Sequence, residues 1–383
     1  MRILKQRRRT RGPEAGFNLL EMMISMAIMT AVIGATATAM QQASRASESA
    51  ILMSGLNNSL RTGMDLMIRD MLQVGSGLPP GHVIQIPTGN GALQMRIPGP
   101  PPPAPTYLTV AGDVDWSAVI PGPGLGPTIN NVKTDIITVL TVDNNFTDMP
   151  LTAITNTTIT VRATNPATGQ AINIQTGVDR ILRGQLLMLE KGSVTAFVQV
   201  TDVNYTTRVI TFANGDSLRL NQTGAAAGNV TALRAVAPNP DNVINGAIAM
   251  TATRIRMISY YLDTTVANHP RLVRRINNGD HITFDNTSGT AVAIDIENLQ
   301  FTYDLADGTT NPANVRFTAA DLAGTGACNP DACGVNQIRK INIVLTGRSA
   351  NTHARQSRLF RNTLSSQVSL RGMAFVDEYL APP

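Results

Sequence analysis

The sequence is poor in what catalytic and metal-binding proteins are built from. Only 4% of its 383 residues are aromatic, four are histidine and two are cysteine. It has no Gly-x-Ser-x-Gly, no His-Glu-x-x-His, no Gly-rich loop closed by Lys-Ser/Thr and no pair of Cys-x-x-Cys motifs, so the hydrolase, zinc-protease, nucleotide-binding and zinc-ribbon signatures are all missing. His82, His269, His281 and His353 stand apart, each beside proline, glycine or a polar neighbour, and read as surface imidazoles. The expectation is that the chain is not an enzyme and carries no cofactor or metal. Charge is missing too: none lies between Met22 and Ala35, and no proline lies between 17 and 78. The formal net charge of +5 is local. Arg2, Lys5, Arg7, Arg8, Arg9 and Arg11 precede Phe17 against the single acid Glu14, and the rest of the chain holds 25 basic and 25 acidic residues. A basic balance confined to one end gives no argument for nucleic-acid binding.

What is present begins at Gly16-Phe17-Asn18-Leu19-Leu20-Glu21, which opens an apolar run to Met40 in which Glu21 is the only ionisable side chain. As a helix these residues span roughly 36 Å, enough to cross a bilayer core. The basic cluster before them predicts that this end stays in the cytoplasm. A carboxylate near the centre of a membrane helix costs about 2.5–3.5 kcal/mol, less near the interface, and is retained where it has a partner. No Lys or Arg lies in the run. Cleavage of the Gly16–Phe17 bond would supply one, because Phe17 would then carry a charged amine. Between staggered chains that amine and Glu21 could neutralise each other inside a shared apolar core, which is a mechanism for assembly.

A basic leader, then Gly16, Phe17, Glu21 and an uninterrupted apolar helix, resembles the signal of type IV pilins and type II secretion pseudopilins. The resemblance implies cleavage after Gly16 by a prepilin peptidase, N-methylation of Phe17, and Glu21 as the assembly residue. The competing reading is an ordinary secretory signal, with small-x-small sites at Ala35-Thr36-Ala37 and Ala37-Thr38-Ala39 and a soluble product starting near 38 or 40.

After Met40 the pattern stays helical. Met53, Leu56, Leu60, Met64, Met67 and Met71 recur at threes and fours, one apolar stripe with Arg61, Asp65, Arg69 and Asp70 mostly off it. Gly75-Ser76-Gly77 before Pro79 and Pro80 predicts the end of a helix running over 17–77, with Gly34, Gly55 and Gly63 as its soft points. The predicted organisation is a leader over 1–16, a membrane helix over 17–40, an amphipathic stem over 41–78, a Pro/Gly-rich loop region over 79–131 and a β-rich domain over 132–383. The loop region contains Ile97-Pro98-Gly99-Pro100-Pro101-Pro102-Pro103-Ala104-Pro105, read as a polyproline segment, and Pro121-Gly122-Pro123-Gly124. The cluster Asp113, Asp115 and Trp116 reads as a turn. Period-two segments predict strands at 136–142, 158–161, 186–189, 195–200, 208–212, 254–262, 271–276, 292–303, 338–345 and 368–375. A boundary at Pro238-Asn239-Pro240 is a weak option. Cys328 and Cys333 enclose a short polar turn; in an oxidising compartment a disulfide is the expected state, with metal binding and two free thiols as the alternatives.

Three further stretches resemble PilW-type minor pilins: Leu66-Met67-Ile68-Arg69-Asp70-Met71 in the helix, Ile255 to Asp263 followed by Arg271-Leu272-Val273-Arg274-Arg275, and Glu297 to Asp304 with Ile338 to Leu345. The J-class pseudopilin shares this layout. The resemblance implies an α+β pilin-like fold, a long membrane-spanning helix packed on a β-rich domain. It also implies residence in the inner membrane with that domain in the periplasm, then at the fibre surface. The implied partners are prepilin peptidase, other minor and major pilins, and the inner-membrane assembly platform.

Overall fold

The computed structural model describes residues 18–78, 84–89, 92–101, 107–109, 115–116, 118–146, 148–192, 194–236, 250–277, 289–305, 308, 310–311, 338–352 and 359–373. It divides into two compact units, Met1–Ser54 and Gly55–Pro383.

In the first unit the described chain is one helix. It is the opening part of α1 (Leu19–Leu72), 54 residues long. Good helix formers and the lack of proline allow it. From Leu19 to Met40 every Leu, Ile, Val and Met is at least half exposed, so the run is apolar all round rather than along one stripe. This helix is long and apolar enough to cross a membrane.

The second unit is β-rich and gives the chain its α+β class. Its main strands are β1 (Val119–Gly122), β2 (Ile136–Val142), β3 (Met149–Ile154), β4 (Thr158–Val161), β5 (Leu186–Lys191), β6 (Val194–Gln199), β7 (Asp202–Asn204), β8 (Val209–Thr211), β9 (Met250–Asp263), β10 (Arg271–Ile276), β11 (Thr290–Ile294), β12 (Ile296–Leu305), β13 (Ile338–Arg348) and β14 (Arg361–Ser369). A short helix, α2 (Val230–Ala235), precedes β9. β1 to β11 form one eleven-stranded sheet and β12-β13-β14 a second. Two- and three-residue ribbons join Ile84–Gln85 to Asp115–Trp116, Arg96–Pro98 to Tyr107–Thr109 and Thr128–Ile129 to Val132–Lys133.

β9 is the axis of the large sheet. Its first half pairs with β5 on one edge (Leu186↔Ile255) and meets β3 on the other (Pro150↔Thr251). Its second half pairs with β10 (Ile258↔Ile276) and β2 (Ile258↔Val139). Strands from both sides of residues 237–249 therefore share one sheet. Phe146, Leu151, Ile159, Leu187, Val198 and Phe212 belong to a core beneath β3 to β8.

The carboxyl part of α1 packs against β10 and β11. Leu56, Leu60, Met64, Met67 and Met71 are buried, so the apolar stripe read from the sequence is the docking face. Each such side chain contributes on the order of 1.5–3 kcal/mol when removed from water. Gly63 is a contact point rather than a soft point: a Cβ there would stand 2.9 Å from Leu272 Cδ2 and 3.0 Å from Ala293 Cβ. α1 also bears on the second sheet, since a Cβ on Gly347 would meet Leu56 Cδ1 at 3.0 Å. Ser59 Oγ donates to the Ile294 carbonyl at 2.9 Å and accepts from the Ile294 N–H at 3.0 Å.

Several boundaries differ from the sequence expectation. α1 ends at Leu72, five residues short of Gly77, because the next amides turn elsewhere: Gln73 and Val74 bond back three residues, and the Gly75 N–H goes to Leu140 O at 3.3 Å. Gly75 (φ +72°) leaves in the left-handed region that glycine allows. The strand expected over 292–303 is two, broken at Asp295 (φ +58°), where the chain passes from the first sheet to the second. The last strand is β14 rather than 368–375. Pro121-Gly122, read as loop, closes β1, whose pairing among the described residues is with β2 alone; proline is tolerated at such an edge. Asp115–Trp116, read as a turn, is a short strand. Asp113, Pro102 to Pro105 and Pro238 to Pro240 lie outside the described residues.

Candidate functional site

Of the residues singled out in the sequence, Gly16, Phe17, Cys328 and Cys333 lie outside the described residues, as do His82, His281 and His353. Glu21 is described. It sits in the first turn of α1, exposed, where a carboxylate is favoured by the amino-terminal end of the helix dipole. Asn18 precedes the helix. Its Oδ1 accepts from Leu20 N at 3.5 Å, while Glu21 Oε2 accepts from Asn18 N at 3.4 Å. This is the reciprocal pattern of a capping box, made here by long contacts. The spacing Asn-x-x-Glu could have been read from the sequence as a helix start.

The remaining polar atoms of the apolar run are satisfied internally. Ser25 donates to Met22 O at 3.0 Å, Thr30 to Met26 O at 2.6 Å, Thr36 to Val32 O at 3.0 Å and Thr38 to Ala35 O at 2.8 Å. In hydrocarbon, a hydroxyl bonded to its own helix escapes the cost of an unmade hydrogen bond. After this accounting, the carboxylate of Glu21 is the one charge left on an otherwise apolar surface.

The second unit holds a feature the sequence reading missed. Asp70, placed off the stripe by its charge, is buried at 5% exposure, one turn from Met67. Arg274 of β10 grips it with Nε to Oδ2 at 2.6 Å and Nη2 to Oδ1 at 3.0 Å, and Tyr260 of β9 donates its hydroxyl to Oδ2 at 2.5 Å. Burial, then the neighbouring Asp70 charge and hydrogen bond, push the Tyr260 phenol far up, so it remains a donor. For Arg274 burial opposes the charged form, but the bonds and charge of Asp70 prevail and raise it. The two-point fork of arginine on carboxylate fixes geometry as well as charge. Asp70, Tyr260 and Arg274 come from the three separate segments 66–71, 255–263 and 271–275. The signal available was the position of Asp70 three residues after Met67.

Other buried acids are tied in the same manner. Asp143 contacts Arg254 at 2.6 Å and Arg256 at 2.8 Å. Glu297 binds Arg361 at 2.6 Å and Arg348 at 3.2 Å across β12, β13 and β14. Burial alone would raise the carboxyls of Asp143 and Glu297, yet the arginines beside each hold both below the ordinary range. His269, read as a bare surface imidazole, meets Asp295 with Nδ1 to Oδ1 at 2.7 Å. Among the described residues no three His, Cys, Asp or Glu side chains lie together as metal ligands. What these arrangements can do chemically is bind segments to one another.

Compared with family models, curated proteins and solved structures, the chain matches none.

Proposed function

We propose that the chain is a membrane-anchored structural subunit, a minor pilin of the PilW type. In this reading the leader is cut at Gly16–Phe17 and Phe17 is methylated. The subunit waits in the inner membrane with its β-rich unit in the periplasm. On extraction, the Phe17–Met40 segment exchanges lipid for neighbouring helices of other pilins, and Glu21 pairs with the new amine of an adjacent subunit. The observation that carries the reading is the surface of α1 from Leu19 to Met40: apolar on every side, with its hydroxyls bonded inward and the single carboxylate of Glu21 at its start. A surface of that kind needs lipid or other helices around it. The same helix continuing through Thr38 and Met40 to Leu72 speaks against a signal discarded near those residues.

The test is the mass of the amino-terminal peptide of the protein purified from its native membrane. A peptide that begins at Phe17 and is heavier by one methyl group is the expected result. A start near Thr38 or Met40 would make this a secreted binding protein, and an intact Met1 a plain membrane anchor.

A further inference from the structure

The outer edge of β14 is unpaired among the described residues. Two hydrogen bonds set its register against β13: Leu370 N to Arg339 O at 2.8 Å and Ser349 N to Phe360 O at 2.8 Å. The pairing between them runs without a shift. In an antiparallel ladder, bonded and non-bonded positions alternate. The even-numbered residues from 360 to 370 therefore bond inward to β13, and Arg361, Thr363, Ser365, Gln367 and Ser369 turn their backbone N–H and C=O outward. These five residues are exposed. The Thr363 N–H is taken by Asn362 Oδ1 at 2.9 Å, so the open stretch is Ser365, Gln367 and Ser369. Among the described residues β14 pairs with β13 alone.

Edge strands are ordinarily blunted by charge, proline, bulges or shortness. β14 is nine residues long, has no bulge, and carries neither charge nor proline from Asn362 to Leu370. The docked part of α1 flanks this edge. Asn57 Oδ1 accepts from Asn362 Nδ2 at 2.7 Å, and a Cβ on Gly372 would meet Val74 O, so strand and helix run in the same direction. On the helix face that carries Asn57, about three and four turns further on, lie Ile68, half-buried, and Leu72, 54% exposed.

We infer that the open edge of β14 receives an extended strand from a different subunit of the assembly, by backbone pairing at Ser365, Gln367 and Ser369, with alternate apolar side chains of that strand covering Ile68 and Leu72. This rests on the pilin reading for the identity of the assembly. An uncharged edge beside uncovered apolar side chains fits a strand that is itself uncharged over about five residues and alternates apolar with small polar side chains. A second copy fits less well. Pairing β14 with its own image about a two-fold axis sets the strands antiparallel, and the two docked helices with them, whereas subunits drawn from one membrane share a direction.

The experiment has two parts, both on the full chain. Hydrogen exchange is read at Ser365, Gln367 and Ser369 in the purified protein in detergent and in the assembled fibre or native complex. Fast exchange in the first and protection of about a hundredfold or more in the second is expected. Protection already present in the isolated chain, or absent from both, overturns the inference. The second part uses Ser365→Pro, which removes an outward N–H and fixes φ at an exposed edge position, with Ser365→Lys as a variant that leaves the backbone unchanged. Ser365→Lys should keep the wild-type melting temperature in detergent, and in both variants recovery in the assembly should fall about tenfold or more. Unchanged recovery with Ser365→Lys overturns it, as does a wild-type dimer in light scattering that either variant splits, since a second copy would then be the occupant. The amino-terminal mass is read on the same preparation: a start other than Phe17 together with strand-dependent assembly would sink the pilin reading and leave the edge intact.

Discussion

At the scale of single residues the molecule is held by carboxylates that arginines accompany into the interior. Replacing Asp70 with Ala would strand the Arg274 guanidinium and the Tyr260 hydroxyl, and a loss of about 3 kcal/mol is expected in chemical unfolding. Tyr260→Phe removes one neutral donor and should cost about 1 kcal/mol. Because the two share Oδ2, the double variant should lose less than the sum of the singles; strict additivity would mean that the hydroxyl contributes nothing to the pair. Glu297 gives a pH prediction whose sign is fixed. Burial raises its carboxyl, but Arg361, Asn130 and Arg348 together bring it below the ordinary 4.5. A folded-state value below the unfolded one yields stability that is complete above about 4.5 and is lost as pH falls through the folded value. Wild type should therefore exceed Glu297→Gln in stability at pH 7, and the difference should shrink steadily below pH 4.5. A constant difference down to pH 3 would refute the assignment.

At the scale of elements the three glycines of α1 separate by what surrounds them. A Cβ on Gly34 or Gly55 meets nothing within 4 Å, whereas on Gly63 it meets Leu272 and Ala293. Gly55→Ala should gain up to about 1 kcal/mol of helix propensity. Gly63→Ala gains the same propensity but must push Ala293, which has no rotamer to yield, and a net loss of about 1–3 kcal/mol is expected from overpacking. Melting the two variants side by side reads the contrast directly, and equal stability would mean that the helix sits further from the sheet than these distances say. Propensity alone could not tell Gly55 from Gly63, because the difference lies in a strand more than two hundred residues away. Legibility failed elsewhere for related reasons. The stripe from Leu56 to Met71 was readable because its period is local. Asp70 was not, since a charge on a helix defaults to the surface and Arg274 is remote in the chain. β14 reads Arg-Asn-Thr-Leu-Ser-Ser-Gln-Val-Ser, an edge strand with too few apolar positions to show a period of two. The split of 292–303 turns on Asp295, whose left-handed backbone is a tertiary fact.

At the scale of the whole chain, the two ends of α1 have opposite relations to charge, and this makes the assembly mechanism testable apart from the fold. Asp70 is buried with its cation already bound in the same chain. Glu21 is exposed, its partner among the described residues is the backbone N–H of Asn18 at 3.4 Å, and no Lys or Arg lies between Phe17 and Met40. If Glu21 serves the single chain, its removal should disturb the start of the helix or its insertion. If it serves assembly, those should survive and only association should suffer. Glu21→Ala makes the helix more apolar, so insertion and cleavage after Gly16 are expected to remain at wild-type levels. Incorporation into fibres should fall about tenfold or more, the factor that corresponds to losing 1.4 kcal/mol of pairing between subunits. Gly16→Leu tests the step before, and should block cleavage and leave the leader attached. The two variants are read together by immunoblot of membrane and sheared-fibre fractions. A Glu21→Ala chain that is processed and incorporated like wild type would remove the carboxylate from the mechanism, whatever the fate of Gly16→Leu.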